Sequence, residues 1–324
     1  GNPDCIQYER TKRGAVQLAR DADVLYIRVA GMPLYSFLEK STLLKLVRPY
    51  SLPVVWEVNA PVEELNASFP EGAERDALIR SENRKRKLLA RLVDAGIGVS
   101  EVLRNYVRDF LGIKKAFSIP NGSDPSLFAS ENLQETALIH LQDKFKVCWA
   151  GNADNPWQGI DVIIETAKRM QHIDPSIVFI VITGNSLWKF PVLKNLLVLR
   201  QIPYADLPSY LAAADVCLCL YKGYDWSDWG FYNSPLKLFD YLAAGKPVIA
   251  SNRGQISTVI KSGVNGIVVD GTVEMIIDSI VKLKASREKR AFLGNNARND
   301  VINFYNWDRV AEQTENILKD VCKR

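Results

Sequence analysis

Histidine is scarce in this chain, with His140 and His172 the only two among 324 residues. One falls in a polar linker and the other at a predicted helix end, which argues against His-based catalysis. The five cysteines (5, 148, 217, 219 and 322) form no C-x-x-C pair and their number is odd. That usage excludes a disulfide framework and points to reduced thiols in a cytosolic protein. No apolar run approaches the roughly 18 residues needed to span a bilayer. The opening GNPDCIQYER has none of the features of a signal peptide, so the sequons at Asn66 and Asn121 read as chance matches. A surplus of one charge sign is missing too. The formal net charge is +4, from 41 Lys and Arg against 37 Asp and Glu. A dedicated nucleic-acid binder is expected to be more basic, so no nucleic-acid partner is expected.

What is present is the composition of a soluble globular protein, 47% hydrophobic and 24% charged. The length suggests two domains. In the second half, short β-branched runs alternate with helical patterns. KVCWAG (146–151), IVFIVIT (177–183), LLVL (196–199), VCLCL (216–220), PVIAS (247–251) and GIVVD (266–270) read as strands. Helices are predicted from Ile160 to about Gln171, over 206–214, near 255–262, and from about Asp308 to Val321. The first half repeats the rhythm with VLYIRVA (24–30), PVVWEV (53–58), GIGVS (96–100) and AFSIP (116–120). Such alternation implies parallel sheets covered by helices on both faces. The fold class is therefore α/β, as two doubly wound Rossmann-like domains with a cleft between them. One domain is expected over 1–130 and the other over 143–305, joined by the polar stretch 124–142. The terminal segment 306–324 is expected to cross back to the N-terminal domain.

One stretch, NSPLKLFDYLAAGKPVIAS (233–251), carries more than packing requires. Ser234 suits an N-cap and Pro235 the first helical position. The amides of Leu236, Lys237 and Leu238 would then face outward at a positive helix end, where anions bind. Lys237 adds a full charge in that turn. Asp240, three residues on and on the same face, can accept from a sugar diol. Phosphate and hydroxyl contacts in one turn suit a nucleotide. A capped helix with one surface Lys–Asp pair explains the same residues.

The stretch resembles the C-terminal-domain motif of family 4 glycosyltransferases, retaining enzymes of the two-domain GT-B architecture. Other pieces resemble that family in the same order: PVVWEVNAPVEE, GIGVSE, IPNGSDPSLF, WAGNADNPWQGIDVIIETA and LPSYLAAADVCLCL. Together they span roughly residues 20–310. The resemblance implies transfer of a hexose-type sugar from a nucleotide-sugar to a glycan or lipid-linked acceptor, in polysaccharide or glycolipid biosynthesis. It implies no metal and no cofactor beyond the donor, because the positive helix end takes the metal's place. The lone DAD at 21–23 reads as solvated helix-end charge. Asp240 falls where the family holds the donor ribose. Lys237, Ser234, Pro235, Leu236, Asn233 and Gly151 fall along the donor site, and the backbone of Arg200 and Ile202 at the nucleobase contact. Glu57, Asn59, Trp226, Trp229 and Phe231 fall at the sugar pocket, and Lys237 and Asn59 are the candidate catalytic positions.

Departures are equally specific. Tyr232 stands where the family's E-x7-E motif has its first glutamate. Asn152 and Gln158 replace the phosphate-binding arginine and lysine, and Asn59 replaces a histidine near the donor sugar. The family's opening strand and glycine-rich loop have no counterpart, so the expectation is either a shortened N-terminus or a protein that does without that loop. Losing one donor to a developing oxyanion typically costs about 2.7–4 kcal/mol, so two missing cations leave a catalytically weak binding module or partner subunit as the alternative. A sugar-nucleotide epimerase is a third reading, disfavoured by the absence of acid–base histidines. The basic segment RSENRKRKLLARL (80–92) reads as a solvated helix face or as a peripheral contact with anionic lipid on the cytoplasmic side of a membrane.

Overall fold

The computed structural model describes residues 12–31, 48, 51–129, 133–134, 136 and 138–323. Cys5, the opening decapeptide and parts of the polar stretch 124–142 lie outside them. The chain divides into two compact units. Unit 1 comprises Gly1–Pro120, Asp225–Asn233 and Ala311–Arg324, and unit 2 comprises Asn121–Tyr224 and Ser234–Val310. The expected pair of parallel α/β sheets is what the chain forms.

In unit 1, α1 (Lys12–Asp21) precedes β1 (Leu25–Val29), followed by β2 (Val54–Val58), α2 (Ala73–Ala90), β3 (Ala95–Gly98), α3 (Glu101–Asn105, continued by a π-helical turn to Phe110) and β4 (Ala116–Ser118). The sheet order is β1-β2-β3-β4 and every pairing is parallel. β2 and β3 are almost wholly buried, as a strand covered on both faces must be. Ser100 caps α3, accepting from the Leu103 amide at 3.3 Å.

Unit 2 contains β5 (Phe145–Gly151), α4 (Ile160–Ile173), β6 (Ile177–Thr183), β7 (Leu196–Arg200), α5 (Leu207–Ala213) and β8 (Val216–Cys219). It continues with α6 (Leu236–Ala243), β9 (Val248–Ser251), α7 (Gly254–Val259), β10 (Gly266–Val269), α8 (Val273–Ala285) and α9 (Arg287–Phe304). α10 (Trp307–Cys322) starts in unit 2 and from Ala311 onward belongs to unit 1. The loop Asp225–Asn233, expected within the second domain, belongs to unit 1 as well. All seven residues of IVFIVIT are buried in β6, the central feature of a core that includes Trp149, Ile163, Val181, Leu218 and Ile249. Truncating one of these to alanine would cost about 2–5 kcal/mol.

The sheet order is β10-β9-β8-β5-β6-β7. From β5 the chain winds outward to β7, then returns to β8 on the other side of β5. That reversal is a topological switch point, and in open α/β sheets ligands bind outside the strand ends there. β8 pairs with β5 only at Val147 and Cys148, so the peptide groups of Ala150 on that side have no strand partner. The Tyr241 hydroxyl of α6 replaces it, accepting from the Ala150 amide at 2.7 Å and donating to its carbonyl at 3.3 Å. One side chain thereby fixes α6 against the carboxyl end of β5.

Candidate functional site

Lys237 lies one helical turn before Tyr241, so the same anchoring carries its ammonium to the end of β5. Its Nζ donates to Oε1 of Gln158 at 2.6 Å. It also lies 4.1 Å from the centroid of the Trp149 ring and 5.5 Å from that of Tyr221. No carboxylate pairs with it among the described residues. Burial therefore pushes the Lys237 ammonium down to about 7, with the Cys219 thiol working slightly the other way. Gly151 makes the approach feasible, because a Cβ there would fall 2.4 Å from Nζ and 2.5 Å from Oε1 of Gln158. Gly159, at φ +68, turns the loop into α4, and a Cβ there would sit 2.9 Å from the Leu220 carbonyl oxygen. A desolvated cation with only an amide and two ring faces is an incomplete ion pair. It has the chemistry to take an anion.

Asp240 is buried on the same helix and does not pair with Lys237. Its Oδ1 accepts from the Ser123 hydroxyl at 2.6 Å and from the Tyr204 hydroxyl at 3.2 Å. Burial raises its carboxyl above the ordinary value and these two bonds partly reverse the rise. The Tyr204 phenol is itself pushed up to about 12 by burial and by the Asp240 charge. Oδ2 has no partner among the described residues, so one oxygen remains to accept from a hydroxyl. The surface Lys–Asp pair offered by the sequence is therefore not formed.

The capping expectation needs correction. α6 begins at Leu236, and Pro235 takes the cap position with extended backbone (φ −69, ψ 117). The Ser234 hydroxyl instead accepts from the Asn121 amide at 2.9 Å, and the Ser234 carbonyl from Nδ2 of Asn121 at 2.7 Å. Leu238 is also removed from the set of free amides, since it donates to the Pro235 carbonyl at 3.0 Å. Leu236 and Lys237 keep theirs, and the side chain of Leu236 is exposed.

Other expected donor positions scatter. Oδ1 of Asn152 accepts from the Asp154 amide at 3.0 Å and serves a local turn. Nη1 of Arg200 donates to the Ser186 carbonyl at 2.9 Å, and Ile202 is half-buried beyond the end of β7. In unit 1, Glu57 and Asn59 lie at the carboxyl end of β2. Asn59 Nδ2 donates to Glu57 Oε1 at 2.8 Å, and Arg28 and the Tyr26 hydroxyl reach the same carboxylate.

Of the four loop rings expected at the sugar pocket, two are buried and Trp226 and Trp229 are half-buried. Phe231 and Tyr232 are buried, and Trp229 stands edge-on to Tyr106 with centroids 5.1 Å apart. Trp226 stands edge-on to Tyr232. Asn66 donates to the Trp226 carbonyl at 2.7 Å and Ser100 to the Tyr232 carbonyl at 2.6 Å. The Tyr232 hydroxyl donates to Glu64 at 3.4 Å, whose carboxyl burial raises and Tyr232 and Arg86 lower. Asn233 is half-buried at the end of this loop. Packing within unit 1 is what these rings do.

Four site residues escaped the sequence reading: Trp149, Tyr221, Ser123 and Tyr204. Trp149 was visible only as an aromatic within β5, and Tyr221 lies two residues beyond the end of β8. Ser123 lies in the quoted IPNGSDPSLF segment, with no local sign that it reaches across 117 residues to Asp240.

Residues 144–286 match the family model described as Glycosyl transferases group 1, a segment that includes Lys237 and Asp240 but not Ser123. An uncharacterized glycosyltransferase of Methanocaldococcus jannaschii, MJ1069, is 22% identical over 244 residues, 72% of this chain and 60% of that protein. The GDP-mannose-dependent alpha-(1-6)-phosphatidylinositol monomannoside mannosyltransferase of Mycobacterium tuberculosis is 29% identical over 119 residues, 35% of this chain and 30% of its own length. The first curated relatives are covered over only 27 to 60% of their length. Among solved structures, Anabaena HepE in complex with UDP aligns with a TM-score of 0.72 and 16% identity, over 95% of this chain and 82% of its own. That likeness shows the GT-B fold.

Proposed function

We propose that this chain is a retaining, metal-independent glycosyltransferase that binds a nucleotide-sugar through unit 2 and transfers a hexose to a glycan or lipid-linked acceptor. The observation that carries the reading is the Lys237 ammonium at the switch point, desolvated, beside two free helix amides and without a carboxylate among the described residues. A diphosphate there would complete the ion pair, and Asp240 Oδ2 would accept from a ribose hydroxyl. Three residues separate the two on one helix face, matching phosphate and ribose in one nucleotide. The group 1 match over this segment, the UDP held by Anabaena HepE and the GDP-mannose dependence of the mycobacterial relative support a nucleotide-sugar donor.

In the proposed reaction the bond from the anomeric carbon to the diphosphate breaks, and the acceptor oxygen bonds to that carbon on the same face. The acceptor's proton passes to the departing phosphate. Lys237 and the amides of Leu236 and Lys237 stabilise the charge that develops on the leaving group.

Asn152 favours the alternative of a weak, binding-only module, because its side chain is committed to a turn and the site is left with one cation. Calorimetry with a panel of nucleoside diphosphates, on the wild type and on Asp240→Ala, separates the outcomes. Saturation at 100 times the Kd would stabilise the fold by about 2.7 kcal/mol. Binding of one nucleotide that Asp240→Ala weakens supports the donor site; donor hydrolysis without acceptor would then separate enzyme from binding module. If no nucleotide binds, the donor reading fails.

A further inference from the structure

The sheet of unit 2 has two edges, and they are finished differently. At β10, the Asn252 amide donates to the Val269 carbonyl, so the alternating peptide groups of Gly266 and Val268 face outward. The chain meets them itself. The Gly263 amide donates to the Gly266 carbonyl at 2.8 Å, and the Val268 amide to the Ser262 hydroxyl at 3.1 Å. Those bonds blunt that edge against other strands.

β7 forms the opposite edge. The Phe179 amide donates to the Asn195 carbonyl and the Gln201 amide to the Thr183 carbonyl, each at 2.8 Å. In that register Leu197 and Leu199 bond to β6, and the peptide groups of Leu196, Val198 and Arg200 face away from the sheet. The Leu196 amide donates to the Leu193 carbonyl at 3.3 Å. The Leu196 carbonyl, and the amide and carbonyl of Val198 and Arg200, have no partner among the described residues. Positions 196 to 199 are all apolar and half-buried. Arg200, the one charge in the strand, is turned back on its own loop by the Ser186 carbonyl and the Phe190 ring. The irregular crossover into β7 packs Trp188, Phe190 and Leu193 against the core. It leaves Leu187 and Val192 90% and 103% exposed, the highest values of any large hydrophobic residue among those described. An open, apolar edge of this kind is a template for another strand.

We infer that β7 is a self-association edge, on which a second copy of this chain pairs antiparallel about a two-fold axis at Val198. The outward groups recur at 196, 198 and 200, evenly about that residue, so an identical strand meets them in phase. Val198 exchanges two bonds with its counterpart, and each Arg200 amide donates to the partner's Leu196 carbonyl. None of the bonds within either copy has to break. The register sets Arg200 opposite Leu196 and Lys194 opposite Ile202, so no like charges face each other. Such a contact is isologous and closes as a dimer. The inference stands on unit 2 alone and does not depend on the donor reading.

Analytical ultracentrifugation of the full chain tests it, and a concentration-dependent monomer–dimer equilibrium is expected. Hydrogen exchange on the wild type should slow at the Val198 and Arg200 amides as concentration rises, and stay constant at the Val268 amide. Val198→Pro removes an outward amide that β6 does not use. Two bonds are lost in the dimer, so dimerisation should weaken at least about fivefold. Leu196→Lys sets a cation opposite Arg200 in each half of the dimer, and Leu196→Glu sets an anion there. The glutamate variant should dimerise at least about fourfold more tightly than the lysine variant. A chain that stays monomeric would overturn the inference and leave the edge to a strand from another protein. A dimer whose β7 amides exchange unchanged, or equal dimerisation of the two Leu196 variants, would overturn it as well.

Discussion

Lys237 and Lys246 are both drawn out of water in unit 2, and both have ammonium groups that burial pushes below the ordinary lysine value. Lys246 donates to the Ala212 carbonyl at 2.6 Å, in the last turn of α5, and Asp215 and Cys217 lie near it. A cation at a helix C-terminus is electrostatically favoured. Lys237 sits in the first turn of α6, at the positive end of a helix, where the dipole opposes it. One lysine completes the fold, whereas the other is held in a position that the fold alone would not favour. The second kind of placement is one that a bound anion, or loss of the proton, would relieve.

The contrast can be broken most directly by substituting each lysine with methionine. Lys237→Met should leave thermal stability unchanged or raised, while nucleoside diphosphate affinity falls by the about 2.7–4 kcal/mol typical of a lost oxyanion donor. Lys246→Met should do the reverse, leaving affinity intact and destabilising by about 1–3 kcal/mol through the Ala212 carbonyl left unsatisfied. Equal destabilisation by both, in a urea titration, would make Lys237 a structural residue like its counterpart.

Ser123→Ala comes next in size. It removes a hydrogen bond to a buried carboxylate and should destabilise unit 2 by about 1.5–3 kcal/mol at neutral pH. The Asp240 carboxyl is already raised by burial, and losing the hydroxyl raises it further. A group whose folded value is raised contributes stability below its unfolded value and loses it as pH rises through the folded one. The penalty of Ser123→Ala should therefore be smaller at pH 4 than at pH 8, and an equal penalty at both would show that Asp240 is not what Ser123 serves.

Nucleotide affinity should itself depend on pH. Free Lys237 titrates at about 7, and a bound diphosphate would raise that value. Binding then takes up a proton, and affinity should fall by up to about tenfold per pH unit above 7. Lys237→Met should flatten that fall, and a persisting slope would assign the proton elsewhere. Tyr204→Phe is the smallest expected change, about 0.5–1.5 kcal/mol of stability, since its bond to Asp240 is long at 3.2 Å.

Much of unit 2 was legible from pattern alone. IVFIVIT is β6 to the residue, and LLVL and PVIAS fall within one residue of β7 and β9. Lys237 and Asp240 were picked out by helix spacing, and they take separate partners on α6. α9 was less legible, because its sequence mixes glycine and asparagine into a weakly periodic helix. Gly294 explains part of that, since a Cβ there would fall 2.0 Å from the Gly245 carbonyl oxygen. The packing of the aromatic loop was not legible, because alternating rings and charges look the same whether Trp229 meets a ligand or Tyr106 and Phe110. Ser234 misled in another way: a good cap by type, it was taken by the Asn121 amide.

Periodicity, turn residues and the Lys–Asp spacing by themselves determined two parallel α/β sheets and the face of α6 on which its charges lie, because these depend on residues within a few positions of each other. Only the tertiary structure decided which partner each charge meets. Lys237 turned to Gln158 and the Trp149 ring, Asp240 to Ser123 and Tyr204, and Arg86 away from its basic neighbours to two strand-end carbonyls. The physical reason is that an ionised side chain leaving water takes whichever donor, acceptor or ring face the fold brings within about 3–4 Å, and sequence distance says nothing of that.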